Sequence, residues 1–439
     1  MRFIRPALLA VLALLVGPTV AAQTTQYTAP GGAAGGAQTR EEIEAAMEEA
    51  RWRLGPIRLA PWLALRGLTY EDDVFVEADD EGGGEDGGGG EGEAVSDVHG
   101  SVGAGLTAYL PTGKDVFWVV QALPEYLFWV DLDERNRLIG RYGAGVYADL
   151  NRLRLALDAQ QREEQQTVTS ESAQQVVGES TVLHAVAELE LTGAVSVVVD
   201  ATQQELAYEL ADGTTVGNGF DFSALDRRER VLAGELRYRP NEKIELAFGA
   251  ETTDVEFDGG GRDLSSTGTS PYLHVVLAGN RFELDARVVR RELEPEPGSA
   301  LLPVEVTQGS GRLGFEISHR LTFGLYGSRS TAYALAGDYT QFETERLGAE
   351  VGIPIGRRLR LRLFGETGSD DYEALPGVVP RRDDVTAWGA AADFEIGDWL
   401  TYRAGVHQVD YDSNLDPFDR DYLRIQSSLI LSTGDWVWR

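Results

Sequence analysis

Residues 98–110 read VHGSVGAGLTAYL and run directly into PTGKD at 111–115. Val98, Val102, Ala104, Leu106, Ala108 and Leu110 fall on one side of an extended chain, and His99, Ser101, Thr107 and Tyr109 on the other. A period of two, with one apolar and one wet face, belongs to a strand. The habit persists to the end of the chain. LRLALDA sets Leu153, Leu155 and Leu157 against Arg154 and Asp158, and LRLRLFGE sets Leu359, Leu361 and Leu363 against Arg360, Arg362 and Glu366.

A secreted sandwich or propeller and a barrel facing lipid would each cover such stripes. The connections decide between them. Short links at 111–115, 150–151, 239–243, 279–280, 354–358 and 397–398 alternate with longer polar ones near 71–97, 131–137, 163–179, 209–227, 257–267, 293–305, 330–340, 369–383 and 412–419. Short periplasmic turns alternating with long outer loops belong to a transmembrane β-barrel. A propeller would repeat at blade length, and no such repeat is present. The rhythm predicts an all-β fold over residues 57–439: one antiparallel up-and-down barrel of about 18 strands (16–18), both termini periplasmic, in the outer membrane of a Gram-negative bacterium. Barrels of that size keep an aqueous lumen.

Composition agrees. The 439 residues carry 71 acids against 39 bases, a formal charge of −32, no cysteine and only two lysines, Lys114 and Lys243. Net acidity disfavours nucleic acid, which needs clustered cations. Absence of cysteine excludes disulfide scaffolds, thiol catalysis and thiolate metal sites. The longest apolar run, Ala7 to Val16, is too short to span a bilayer as a helix. Preceded by Arg2 and Arg5 and followed by GPTVAAQ, it reads as a signal peptide over 1–22 cleaved after Ala22. Residues 23–38 are small and glycine-rich, a flexible linker. Thr39 and Glu42 fit a capping box, and Ile43, Met47 and Leu54 recur at helical spacing, predicting a periplasmic helix over 39–54. A surface helix at the inner mouth is the plainer expectation, a plug or docking element the bolder one.

The wet faces supply the candidate functional residues. Folding the strands about their short links places Arg237, Glu245, His274, Asp285, Arg287, Glu350, Arg360, Arg362, Asp393 and Arg403 toward the lumen. The expected cross-strand partners are Glu350 with Arg362, Asp393 with Arg403, Arg237 with Glu245, and His274 with Asp285. Opposed rows of fixed charge select solutes in a channel; neutralised pairs that stiffen the wall are the plainer reading. Pro124 falls on the lipid-facing parity, where a bulge would accommodate its missing donor. Tyr126, Phe128, Tyr142, Tyr238, Phe282, Trp388, Phe394, Trp399 and Tyr402 fall on outward parity near strand ends, as interfacial girdles require.

At RLGPIRLAPWLALRGLTYEDDVF (53–75) the chain resembles a known group, the β-barrel porin 2-like outer-membrane porins often encoded beside exopolysaccharide genes. The features are Gly55, Pro56, Leu59, Pro61, Leu63, Leu65, Tyr70, Asp72, Asp73, Val74 and Phe75. TAYLPTGKD, PEYLFWV and DLNRL (149–153) extend the likeness to about residue 160, after which it is generic barrel. The resemblance implies fold and location and carries over no catalytic or ligand residue. IQSSLILSTGDWVWR resembles the carboxy-terminal signal read by the barrel-insertion machinery, with Gly434, Trp436 and Trp438, although Arg439 rather than an aromatic is last.

The acidic stretch 71–97 has the density but not the spacing of a calcium loop, and reads as a solvated loop. His274 beside Asp285 has no identifiable nucleophile, so no enzyme, cofactor or metal site is expected. The expected function is a water-filled channel for small hydrophilic solutes. An accessory barrel of an exopolysaccharide export system, or a structural barrel with acidic loops, is the alternative. Expected partners are outer-membrane lipid and lipopolysaccharide, the insertion machinery and exopolysaccharide export proteins.

Overall fold

The computed structural model describes residues 40–50, 52–75, 94–167, 171, 175–209, 222–258, 262–336, 338–396, 399–415 and 418–432. The expected signal peptide, linker, most of the acidic loop and the chain end from 433 lie outside the described residues.

Helix α1 (Arg40–Glu49) precedes a short strand, β1 (Trp52–Leu54). The wall follows as β2 (Ile57–Phe75), β3 (Ala94–Thr112), β4 (Val116–Trp129), β5 (Arg137–Leu150), β6 (Leu153–Thr167), β7 (Gln175–Thr192), β8 (Val195–Glu209), β9 (Arg227–Asn241) and β10 (Ile244–Phe257). It continues through β11 (Ser266–Ala278), β12 (Phe282–Pro295), β13 (Val304–Ser318), β14 (Leu321–Tyr333), β15 (Tyr339–Ile355), β16 (Leu359–Ala374), β17 (Arg382–Glu395), β18 (Leu400–Ser413) and β19 (Arg420–Ser432). Each strand pairs antiparallel with the next, and β19 returns to β2, with Arg424 opposite Glu71 and Ser432 opposite Trp62. Eighteen strands thus close one barrel, and β1 pairs onto the start of β2, Trp52 opposite Leu59.

The faces follow the alternation. In β4, Phe117, Val119, Leu123, Leu127 and Trp129 are buried inside, while Trp118, Val120 and Tyr126 stand bare outside. Outward Phe248, Leu347 and Leu157 expose more than half their surface. Covering such a side chain is worth about 1.5–3 kcal/mol, so this belt is stable only against hydrocarbon. Eight of the nine expected girdle aromatics stand exposed on the outside; Phe128 is half-covered.

The strands are taller than a bilayer. A crossing needs roughly 9–11 residues, and β2 and β3 have 19 each. The surplus rises on the long-loop side, where the outer surface turns ionic. Arg228 meets Glu205 at 2.8 Å, Arg230 meets Glu256 at 3.0 Å and Arg382 meets Asp371 at 2.9 Å. The apolar belt ends below this collar.

Three expectations change. The helix stops at Glu49, because Trp52–Leu54 fold back about Gly55 (φ +62°) and Pro56 to pair with β2. Residues 71–75 and 94–97 of the acidic stretch extend β2 and β3, with Glu71 opposite Asp97. No bulge marks Pro124: Leu106 opposes Ala122 and Gly103 opposes Glu125 in one unbroken register, with the pairing lost only between them. Glycines make that possible. A Cβ on Gly103 would lie 2.6 Å from the Pro124 carbonyl oxygen, and one on Gly105 2.6 Å from that of Ala122.

Candidate solute pathway

The inward faces of β6 to β18 carry a continuous lattice of ion pairs. Asp393 lies directly opposite Arg403 and forms an ion pair with it, Nε to carboxylate oxygen 3.0 Å, while Arg362 Nη2 reaches the other carboxylate oxygen at 3.3 Å. Glu350 pairs with Arg312, not Arg362. The turn after Ile355 spends three residues, Gly356 at φ +68° among them, so Arg362 opposes Gly352, two residues from the expected register. The same two-residue offset holds elsewhere: Arg237 opposes Ala247 and His274 opposes Arg287. Both expected contacts still form, on the diagonal. Arg237 Nε is 3.3 Å from Glu245, and His274 Nε2 is 2.9 Å from Asp285. Long side chains tolerate a diagonal partner, which is why the pairs survive the slip. Arg360 opposes Asp393 across β16–β17 and Pro354 across β15–β16.

Several groups in this lattice were not foreseen. Glu188 gathers Arg154, Arg237 and Arg239 at 3.6, 3.5 and 3.0 Å, and accepts from Ser196 at 2.7 Å. Glu251, fully buried, takes Arg287 at 2.5 Å and Arg291 at 3.0 Å. Arg287 also lies 4.5 Å over the Tyr272 ring, whose hydroxyl donates to Glu235 at 2.9 Å. His184 joins Asp158 through Nδ1 and Asp200 through Nε2, both at 3.1 Å, a chain across three adjacent strands. His184 directly opposes Asp158 across β6 and β7, strands joined by one of the longer links, so folding the sequence about its short turns does not find it. Among the described residues no group of acids and histidines could hold a metal ion.

The long loops fold inward over one mouth. Phe222, Leu225, Leu264, Leu301 and Leu335 pack on the inward ends of the strands through Val176, Tyr208, Val255, Leu293, Val304 and Tyr333. Polar ties fix them. Arg262 donates to the carbonyl oxygens of Ala334 (2.7 Å) and Tyr339. The buried Glu171 carboxylate accepts the backbone N–H of Leu335 and, at 3.2 Å, of Ala336. Arg381, also buried, pairs with Asp383 at 2.9 Å and stacks 4.2 Å over Tyr372 and 3.7 Å over Phe418. Burial pushes the Glu171 carboxyl above its ordinary range.

Between this cap and the turn-side mouth, Asp285, Arg154, Arg312 and Arg403 keep 59, 55, 43 and 32% of their side-chain surface open, so fixed charge of both signs faces water inside the wall. A closed apolar-jacketed barrel with a charged, wet interior and one narrowed mouth has the form of a membrane channel.

No family model matches the chain, and no curated protein matches it. Solved structures do. The chain is similar to OpdK of Pseudomonas aeruginosa, solved with vanillate (TM-score 0.52, 10% identity, 85% of this chain and 98% of that one). It is similar to a BenF-like porin of Pseudomonas fluorescens Pf-5 (0.51, 10%, 86% and 98%) and to OccAB3 of Acinetobacter baumannii (0.50, 13%, 86% and 100%). At such identities the likeness is one of fold: a closed barrel of porin type.

Proposed function

We propose that this protein is an outer-membrane channel that passes small hydrophilic solutes. The observation that carries the reading is the contrast of the two faces: leucine, valine and aromatic side chains bare on the outside, and Arg154, Asp285, Arg312 and Arg403 open to water inside. A wall with no aqueous path behind it would have no reason to keep charges wet. The porin-type fold of the similar structures supports the reading, and OpdK was solved with a small organic molecule, vanillate. The lumen candidates Arg237, Glu245, His274, Asp285, Arg287, Glu350, Arg360, Arg362, Asp393 and Arg403 act in this proposal as the fixed charges that bias solute sign. The outer collar of arginines and carboxylates stands where lipopolysaccharide phosphates and their divalent ions would meet it.

Purified protein in planar bilayers should give steady unit conductance steps. Silence across voltages, with the barrel folded by gel mobility, would overturn the proposal. The finer kinship read from Gly55 to Phe75, with barrels beside exopolysaccharide genes, is tested separately by polymer secretion after deletion.

A further inference from the structure

At the turn-side mouth of β3 to β6 the inward wall is apolar, not charged. There the inward positions are Tyr109, Phe117, Val119, Tyr147 and Ala156, and all of them are buried. An apolar patch on the wall of a water-filled lumen costs about 25 cal/mol per Å² if left bare. Helix α1 covers it. Ile43, Ala46 and Ala50 are buried against these residues and Ala60, with Met47 and Val186 at the margin. Their spacing puts one apolar stripe on the wall. The opposite face, Ala45, Glu48 and Glu49, stands in water.

Seat and helix therefore match: an aromatic patch on the wrong parity for a lumen, and the one α-helix among the described residues lying on it. Helix α1 has ten residues, below the length that keeps an isolated helix folded in water. Its structure depends on the seat. A single residue, 51, separates Ala50 from β1, so an unseated helix stays tethered at the mouth.

We propose that α1 is an inner plug of the channel, an autoinhibitory segment that narrows the turn-side mouth while seated and widens it on undocking. This rests on the channel reading above, and the test separates the two. Removing residues 23–50 should raise unit conductance by about twofold and abolish partial closures. Should that variant not fold, Ile43→Glu unseats the helix without shortening the chain and should do the same. Because the chain has no cysteine, A46C/A60C introduces a lone thiol pair. Oxidation should link them, hold the low conductance without gating steps, and be undone by reductant. Unchanged conductance and noise in the deletion and in Ile43→Glu would overturn the plug, as would failure of the two thiols to link in folded barrels. Linkage with no current from any variant would uphold the seat while removing the channel on which its role depends.

Discussion

Arg403 and Asp393 face one another across β17 and β18, Nε to carboxylate at 3.0 Å, on a wall position open to lumen water. Because Arg362 shares the same carboxylate at 3.3 Å, one acid holds two cations in place. Replacing it changes the sign of a whole sector of the wall.

Asp393→Asn should therefore shift the channel toward anions. Two guanidinium groups lose their counter-charge while shape is kept. The reversal potential under a salt gradient should move in the anion direction, and the shift should shrink in high salt as charge is screened. Stability should fall by only about 0.2–1 kcal/mol, the scale of a cross-strand pair.

His184 bridges Asp158 and Asp200 at 3.1 Å on each side, and His184 and Asp158 are both nearly inaccessible. His184→Ala leaves two carboxylates facing each other across a gap. Removing a partner of buried polar groups costs about 1–3 kcal/mol, so unfolding by denaturant in detergent should shift by that amount. A small or absent shift would show that water replaces the ring.

The outer cap should respond to pH through Glu171. Burial raises its carboxyl, so the capped form binds the proton more tightly than the open one. The cap is then favoured below the ordinary carboxylate range and weakens as pH rises through the interval up to the raised value. Limited proteolysis of the outer loops should be slower at acid pH. Glu171→Gln should abolish that dependence, and Glu171→Ala should open the cap at every pH by stranding the N–H groups of Leu335 and Ala336.

Gly105→Val tests the ladder beside Pro124. Its Cβ would meet the Ala122 carbonyl oxygen at 2.6 Å and the Leu123 side chain at 2.4 Å. Forced overpacking of this kind costs about 1–3 kcal/mol. The folded fraction in a refolding titration should drop accordingly, whereas a substitution at Gly193, with open space around it, should leave it unchanged.

The barrel was legible because alternation over residues 98–110, 153–159 and 359–366 repeats wherever a strand crosses lipid. The short turns were legible from Gly113, Asn151 and Gly356, which take the positive φ that tight links need. Register was legible only to within two residues: placing the centre of a turn one residue early, at Gly356 instead of Arg357, keeps every side chain on its face but slides its partner by two, and that error gave Arg362 to Glu350 where its carboxylate is Asp393. The inward cap was hidden because Phe222, Leu264, Leu301 and Leu335 stand in loops alone or in runs of two or three apolar residues, with no period to betray them. The seat of α1 did leave a trace: Tyr109, Phe117, Val119 and Tyr147 are apolar or aromatic on the parity where 153–159 and 359–366 carry Arg154, Asp158, Arg360 and Arg362.

The three-residue strand β1 occupies Ile57–Leu59 on the flank of β2 whose next stretch, Trp62–Glu71, is taken by β19. The first strand of the barrel wall, β2, thus brings its own partial cover. While the last strand is still missing, the stretch of naked amide and carbonyl groups that could recruit a stranger is shorter by those three residues, and closure can proceed from an end already zipped toward the loops.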